Sequence, residues 1–263
     1  MLQIIQYILL GIVQGITEWL PISSSGMLTL VMTNFFKITN LPVLLQQSLF
    51  LHLGTFLAAL VYFRNDVAKV ILSIFKKDMK EYRKVLRFLI ISTIITGIIG
   101  LGIIFLLSEV GNLTGKTITF GIGILLLITA GMQFAVKKRG IRTLKDITTS
   151  SSILAGLAQG IAALPGISRS GMTISTLLLN KFDDTTALRL SFLMSLPAVL
   201  LGNIFLNLSD MAVVFSIEIL YGVLFAFIAG IITIHLLITL AKKINFAWFA
   251  LIFGILMILS IVF

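Results

Sequence analysis

No cysteine occurs among the 263 residues. Disulfides and thiolate metal sites are therefore excluded. Charge is scarce as well: Asp, Glu, Lys and Arg together make up 11% of the chain. A soluble domain of this length needs far more polar surface to cover its core. Acids are the rarer sign, 10 against 20 bases, for a formal net charge of +10. Apolar residues fill the gap, at 58% of the chain, and the mean hydropathy is +1.12.

That composition belongs to a membrane protein, and its apolar residues are gathered into long runs. A helix needs about 20 residues, rising 1.5 Å each, to cross a bilayer. Six runs meet that length: Pro42–Phe63, Val85–Leu107, Thr117–Val136, Thr186–Leu206, Ala212–Leu240 and Phe246–Phe263. The opening apolar run lacks a basic leader and a small-residue cleavage site, so it is not expected to be a cleaved signal.

The excess of base suggests nucleic acid until its distribution is considered. Arg64, Lys69, Lys76, Lys77, Lys80, Arg83, Lys84 and Arg87 lie in and beside one inter-span loop. Lys137, Lys138, Arg139, Arg142 and Lys145 occupy a second, and Lys242 and Lys243 a third. With Lys181 and Arg189 these make 17 of the 20 cations, while the other loops carry only Lys37 and Lys116. Bases concentrated on alternate loops follow the positive-inside rule. They report orientation, and no nucleic-acid partner is expected. The amphipathic stretch Asp66–Lys77 is expected to lie on the cytoplasmic surface.

The chain also repeats itself. Gly11–Met27 (GIVQGITEWLPISSSGM) and Gly156–Met172 (GLAQGIAALPGISRSGM) align with an offset of 145, and 9 of 17 positions are identical. Shared Gln, Gly and two Ser in register point to duplication, with repeat 1 over 1–140 and repeat 2 over 150–263 of a single membrane domain. Each motif precedes three spans, an odd number, so the halves are expected to be inverted. Each also has a broken helix: an apolar run ends at Pro21 or at Pro165–Gly166, a Ser/Gly turn follows, and a short run restarts. Met27–Phe36 would rise only about 15 Å, too little to cross. The expected fold is therefore an all-α membrane protein with six transmembrane helices and two re-entrant helical hairpins in an inverted-topology repeat. Irregular backbone in lipid must be enclosed by protein or line a wet cavity, so the two turns are expected to meet at a site near the midplane.

Candidate residues cluster at those turns. Glu18, one turn before Pro21, is an acid in an apolar helix, where insertion costs about 2.5–3.5 kcal/mol unless a partner or water receives it. Arg169 stands in the second motif at the position aligned with Ser24. Together they form either a structural ion pair or a site for an anionic substrate, with Arg169 holding phosphate and Glu18 moving a proton or holding a metal. Gln14, four residues before Glu18, shares its helix face and is a substrate or metal ligand, or an interhelical hydrogen bonder. Ser23, Ser24, Ser25, Ser168 and Ser170 are N-caps of the restarting helices or phosphate ligands at the freed N–H groups; one of them can be a nucleophile if a base is near. Thr173 is a further phosphate donor or a backbone bonder. His52 is a proton shuttle or, more in keeping with an apolar span, an interhelical hydrogen bonder. His235 reads as structural, and Asp183 and Asp184 as a helix start.

At these motifs the chain resembles the undecaprenyl-diphosphate phosphatase family, also called bacitracin-resistance proteins. Its (E/Q)xxxE-PxSS signature stands as Gln14, Glu18, Pro21, Ser23 and Ser24, and its PGxSRSxxT signature as Pro165, Gly166, Ser168, Arg169, Ser170 and Thr173. LHLGTFLAALVYFR from Leu51 and RLSFLMSLPA from Arg189 are similar to the family too. The resemblance implies removal of the terminal phosphate from a C55 polyprenyl diphosphate in the cell membrane, regenerating a carrier lipid for cell-wall glycan assembly. It implies Glu18, Ser24 and Arg169 as the residues that matter most, Gln14, Ser23, Ser25, Ser168, Ser170 and Thr173 around the substrate, and support by Mg²⁺ or Ca²⁺ at Glu18 and Gln14. Two positions depart from the pattern. Met27 stands where the family has a histidine proposed to transfer protons, and a thioether does no acid–base work at neutral pH. FAWFALIFG near the C-terminus replaces a Tyr-Arg pair. The departure at Met27 keeps a second reading in view, a transporter or flippase of polyprenyl phosphate with little hydrolysis.

Overall fold

Helices make up the regular structure of the computed structural model, which describes residues 2–38, 41–108, 115–136, 140–164, 166–207, 216–240 and 247–259. The one β-type pairing among these residues is an isolated bridge between Arg142 and Phe182. Pro165, Lys137–Arg139, Lys242, Lys243 and the ends of the last two expected spans (212–215, 246 and 260–263) lie outside the described residues.

The first half contains α1 (Leu2–Thr17), α2 (Ser24–Asn34), α3 (Leu41–Tyr62), α4 (Arg64–Phe75), α5 (Lys80–Ser108) and α6 (Gly115–Phe134). The second contains α7 (Thr149–Ile161), α8 (Arg169–Leu179), α9 (Asp184–Asn207), α10 (Ile217–Leu240) and α11 (Ala247–Leu259), after a short 3₁₀ turn at Leu144–Asp146. Among the described residues three stretches are long and apolar enough to cross a membrane: Lys80–Ile103, Asp184–Ile204 and Ile217–Leu240. Gln3–Thr17, Gln47–Tyr62 and Gly123–Phe134 are shorter apolar helices. Outward-facing Ile98, Phe105 and Ile232 are each more than half exposed, an apolar surface that suits lipid and not water.

Both motif helices break near the expected prolines but four residues sooner, which leaves Glu18 in the turn and not in the helix. α1 stops at Thr17, the chain turns through Pro21, and Ser23 caps α2 by accepting from Gly26 N at 3.2 Å. α7 stops at Ile161, Gly166 takes a left-handed φ of 104° open to glycine, and Ser168 caps α8 by accepting from Gly171 N at 3.1 Å. The two caps have nearly the same backbone, φ/ψ −72/107 at Ser23 and −76/115 at Ser168. The restarting helices begin at Ser24 and Arg169, three residues before the Met27 expected to open the short apolar run and its counterpart Met172, because the serine caps themselves nucleate the turn.

Packing exchanges partners between the halves. α1 packs on α10 and α7 on α5; α3 lies against α10 and α9, and α9 also against α5; α6 pairs with α11. The motif helices approach their partners closely. A Cβ on Gly11 would lie 2.2 Å from the Gly222 carbonyl oxygen, and one on Gly156 would lie 2.8 Å from that of Ser92. Glycine permits that contact at both equivalent positions. Trp19, Phe63, Phe88, Phe182 and Phe192 form the aromatic part of the largest buried cluster, inside the α3–α5–α9 packing. Lys84 Nζ donates to the Lys145 carbonyl, so the two basic loops meet on one face. On that face α4 buries Asp66, Val70 and Ser73 and exposes Ile71, Leu72, Ile74 and Phe75, the amphipathic helix expected over Asp66–Lys77.

Candidate functional site

The two turns meet at the Glu18 carboxylate. Glu18 sits just past the end of α1, its N–H still bonded to the Gln14 carbonyl at 3.0 Å, and its side chain is buried. Four side chains from four elements converge on it. Arg169 Nη2, at the start of α8, lies 2.6 Å from Oε1. Ser24 Oγ, at the start of α2, donates to Oε2 at 2.7 Å, and Gln14 Nε2 from α1 donates to the same oxygen at 3.0 Å. His52 Nε2, from α3, is 3.2 Å from Oε2.

Each partner is held in turn. Arg169 Nη1 donates to the Ser191 carbonyl at 3.3 Å, and its guanidinium lies 5.6 Å from the centroid of the buried Trp19 ring. Thr173 Oγ1 is within 2.5 Å of Ser191 Oγ and donates to the Arg169 carbonyl at 2.9 Å. Ser170 Oγ donates to the Leu20 carbonyl at 2.7 Å, tying the second motif to the first turn. His52 Nδ1 is 2.6 Å from the Ser48 carbonyl. A carbonyl only accepts, so the Nδ1–H form of the ring suits this contact and leaves Nε2 turned to the carboxylate. His52 Nε2 therefore faces Glu18 Oε2 directly.

Gln14, Glu18, Ser24, Arg169 and Thr173 thus belong to one connected polar group. Ser23, Ser25, Ser168 and Ser170 lie at its edge as caps and cap neighbours, with Ser23–Ser25 and Ser168–Ser170 hydroxyls 3.2 Å apart in each motif. His52, read from sequence as a proton shuttle or an interhelical hydrogen bonder, reaches from α3 to the carboxylate beyond α1, a contact that fits either role. Trp19, Ser48 and Ser191 carried no signal. Met27 packs against the buried Ile22–Leu126 cluster, so its side chain lies in an apolar setting and not on Glu18. His235 bonds Tyr62 Oη at 3.3 Å between α10 and α3, and Asp183 Oδ1 accepts from Thr186 N at 3.0 Å at the start of α9.

The site also has an unused acceptor: Gln14 Oε1 is buried without a partner. Among the described residues no cluster of three or more His, Cys, Asp or Glu could cage a metal. A single carboxylate beside a free amide oxygen does fit a hard cation that takes its remaining oxygens from a phosphorylated ligand.

The family model for the bacitracin resistance protein BacA matches residues 7–259. A curated undecaprenyl-diphosphatase from Methanococcoides burtonii is 45% identical over 267 residues, 99% of both chains. Proteins of the same name from Syntrophotalea carbinolica and Sulfurisphaera tokodaii are 40% and 37% identical, covering 90% and 93% of this chain and 89% and 92% of their own.

Proposed function

Because this chain belongs to the bacitracin resistance protein BacA family, we infer that it is a membrane phosphatase that hydrolyses undecaprenyl diphosphate to the monophosphate lipid and phosphate. The observation that carries the chemistry is the Glu18 carboxylate, held between the Arg169 guanidinium at 2.6 Å and the Ser24 hydroxyl at 2.7 Å. Phosphoryl transfer asks of a protein mainly positioning and neutralisation of charge. Arg169 leaves Glu18 to hold the diphosphate, assisted by the free N–H groups at the starts of α2 and α8. Glu18 Oε2 takes the proton of the attacking hydroxyl, either a water or Ser24; where Ser24 attacks, a water then displaces the serine oxygen from the phosphoserine and releases phosphate. His52, whose Nε2 faces that oxygen, supplies a proton to the departing lipid monophosphate as the bond from the terminal phosphorus to the bridging oxygen breaks. Ser168, Ser170, Ser23, Ser25 and Thr173 shape the pocket, and Thr173 steadies Arg169 through Ser191.

A divalent cation would be held by Glu18 and the free Gln14 Oε1 and would neutralise phosphate charge. The fold is read as six crossings and two re-entrant hairpins in an inverted repeat. That reading is supported by the matched caps at Ser23 and Ser168 and by the reciprocal packing of α1 on α10 and α7 on α5. A cell-membrane location, with the joined basic loops inside and both termini outside, is supported by the contact of Lys84 with Lys145.

Phosphate release from undecaprenyl diphosphate by purified protein in micelles tests the reading. Wild type should turn over and Glu18→Gln should not. Binding of undecaprenyl monophosphate by wild type without any hydrolysis would replace the phosphatase by a carrier.

A further inference from the structure

Two residues before Ser191, whose carbonyl holds Arg169, α9 carries a second arginine that the chemistry above does not use. Arg189 makes a forked contact with Asp66 of α4: Nε donates to Oδ2 at 2.9 Å and Nη2 to Oδ1. Tyr82 of α5 closes the group, donating to Asp66 Oδ1 at 3.3 Å and accepting from Arg189 Nη2 at 3.4 Å. Asp66 is buried, and its side chain is 13% exposed against 31% for Arg189. Planar, two-point pairing fixes direction as well as distance, which a single ammonium contact does not.

The clamp acts on the N-terminal part of a helix that contains a proline. Pro197 lies inside α9 and removes the hydrogen bond to the Leu193 carbonyl. The segment from Asp184 to Leu196 thus lies on the N-terminal side of a weakened point in α9. Arg189 and Ser191 both lie in that block, and the block touches the site twice, at the Ser191 carbonyl on Arg169 and at the Ser191 hydroxyl on Thr173. Only rigid helix separates the clamp from those contacts.

We propose that the Asp66–Arg189 pair is a positioning unit for Arg169, setting the block of α9 whose Ser191 aims the guanidinium at the substrate phosphate. The proposal rests on the phosphatase reading. It makes α4, the amphipathic surface helix, a structural support of the site from outside the span.

A thermodynamic cycle tests it. Turnover of undecaprenyl diphosphate is measured for wild type, Asp66→Asn, Arg169→Lys and the double variant, with thermal unfolding of each. If Asp66 acts through Arg169, Asp66→Asn lowers kcat/KM about tenfold in the wild-type background and less than about twofold once Arg169 is lysine. Equal losses in the two backgrounds overturn the proposal and leave the pair a structural tie, which would lower the unfolding temperature but not couple to Arg169. Should Asp66→Asn fail to fold, Asp66→Glu keeps the ion pair, displaces it by one methylene, and is judged by the same criterion. If Arg169→Lys is too slow to measure, affinity for undecaprenyl monophosphate is read in the same four proteins. No phosphate release by wild type would overturn the phosphatase reading, whereas release by wild type with additive losses overturns only the positioning role.

Discussion

His52→Gln tests the site most sharply, because it separates proton transfer from packing. The imidazole is held at Nδ1 by the Ser48 carbonyl, 2.6 Å away, and faces Glu18 Oε2 across 3.2 Å with Nε2. Glutamine can still donate an amide hydrogen to the carboxylate, but it cannot carry a proton. Loss of a general acid or base typically costs about 10²–10⁴ in rate, or about 2.7–5.4 kcal/mol of barrier at 1.36 kcal/mol per factor of ten. The expected result is a fall in kcat of that size, with the unfolding temperature and affinity for the monophosphate lipid little changed. The companion variant is Met27→His, which restores the histidine at the family's usual position. Met27 packs against the apolar Ile22–Leu126 cluster, so burying an imidazole there costs about 1–3 kcal/mol of stability. It is expected to leave kcat unchanged or lower. Both are read by phosphate release from undecaprenyl diphosphate in micelles, alongside thermal unfolding. If His52→Gln keeps kcat within about threefold of wild type, or Met27→His raises kcat tenfold, the proton route through His52 is wrong.

Arg169→Ala should lose at least about 10²-fold in kcat, since it removes charge stabilisation from a buried polar group, and Arg169→Lys should recover only part of it for want of the planar fork; near wild-type turnover in the alanine variant would refute its role. Ser24→Ala distinguishes the nucleophile. Abolished turnover, with a phosphoserine trapped in wild type by rapid quenching, identifies Ser24; residual turnover without a trapped species identifies water. Gly11→Val places side-chain atoms where a Cβ already lies 2.2 Å from the Gly222 carbonyl oxygen, so α1 must move off α10 and thermal stability in micelles should drop markedly; an unchanged unfolding temperature would contradict that packing. In the cysteine-free chain, thiols introduced at Lys77 and Lys138 should be shielded from an impermeant reagent in intact cells and one at Asn112 should react; labelling at Lys77 would reverse the assigned orientation.

Composition and local pattern determined a good deal here by themselves. Scarce charge and long apolar runs exclude a soluble fold, and no tertiary detail is needed for that because the constraint is the solvent. The duplicated Ser-Gly turns located both helix breaks, since capping is a local interaction between a serine and the N–H three residues on. Glu18 and Arg169 stood out because a charge in an apolar segment demands a partner. Long-range placement was decided only by the fold. Nothing in the spacing of His52, 34 positions beyond Glu18, shows that α3 brings its ring onto that carboxylate, nor that Met27 turns into an apolar cluster. The same holds for Arg169, 151 positions from Glu18, and for Asp66 and Arg189, 123 apart. These contacts depend on which helix packs on which, and an apolar helix can satisfy the bilayer in any rotation about its axis. Close glycine contacts and forked ion pairs choose among those rotations, and they exist only once the helices meet.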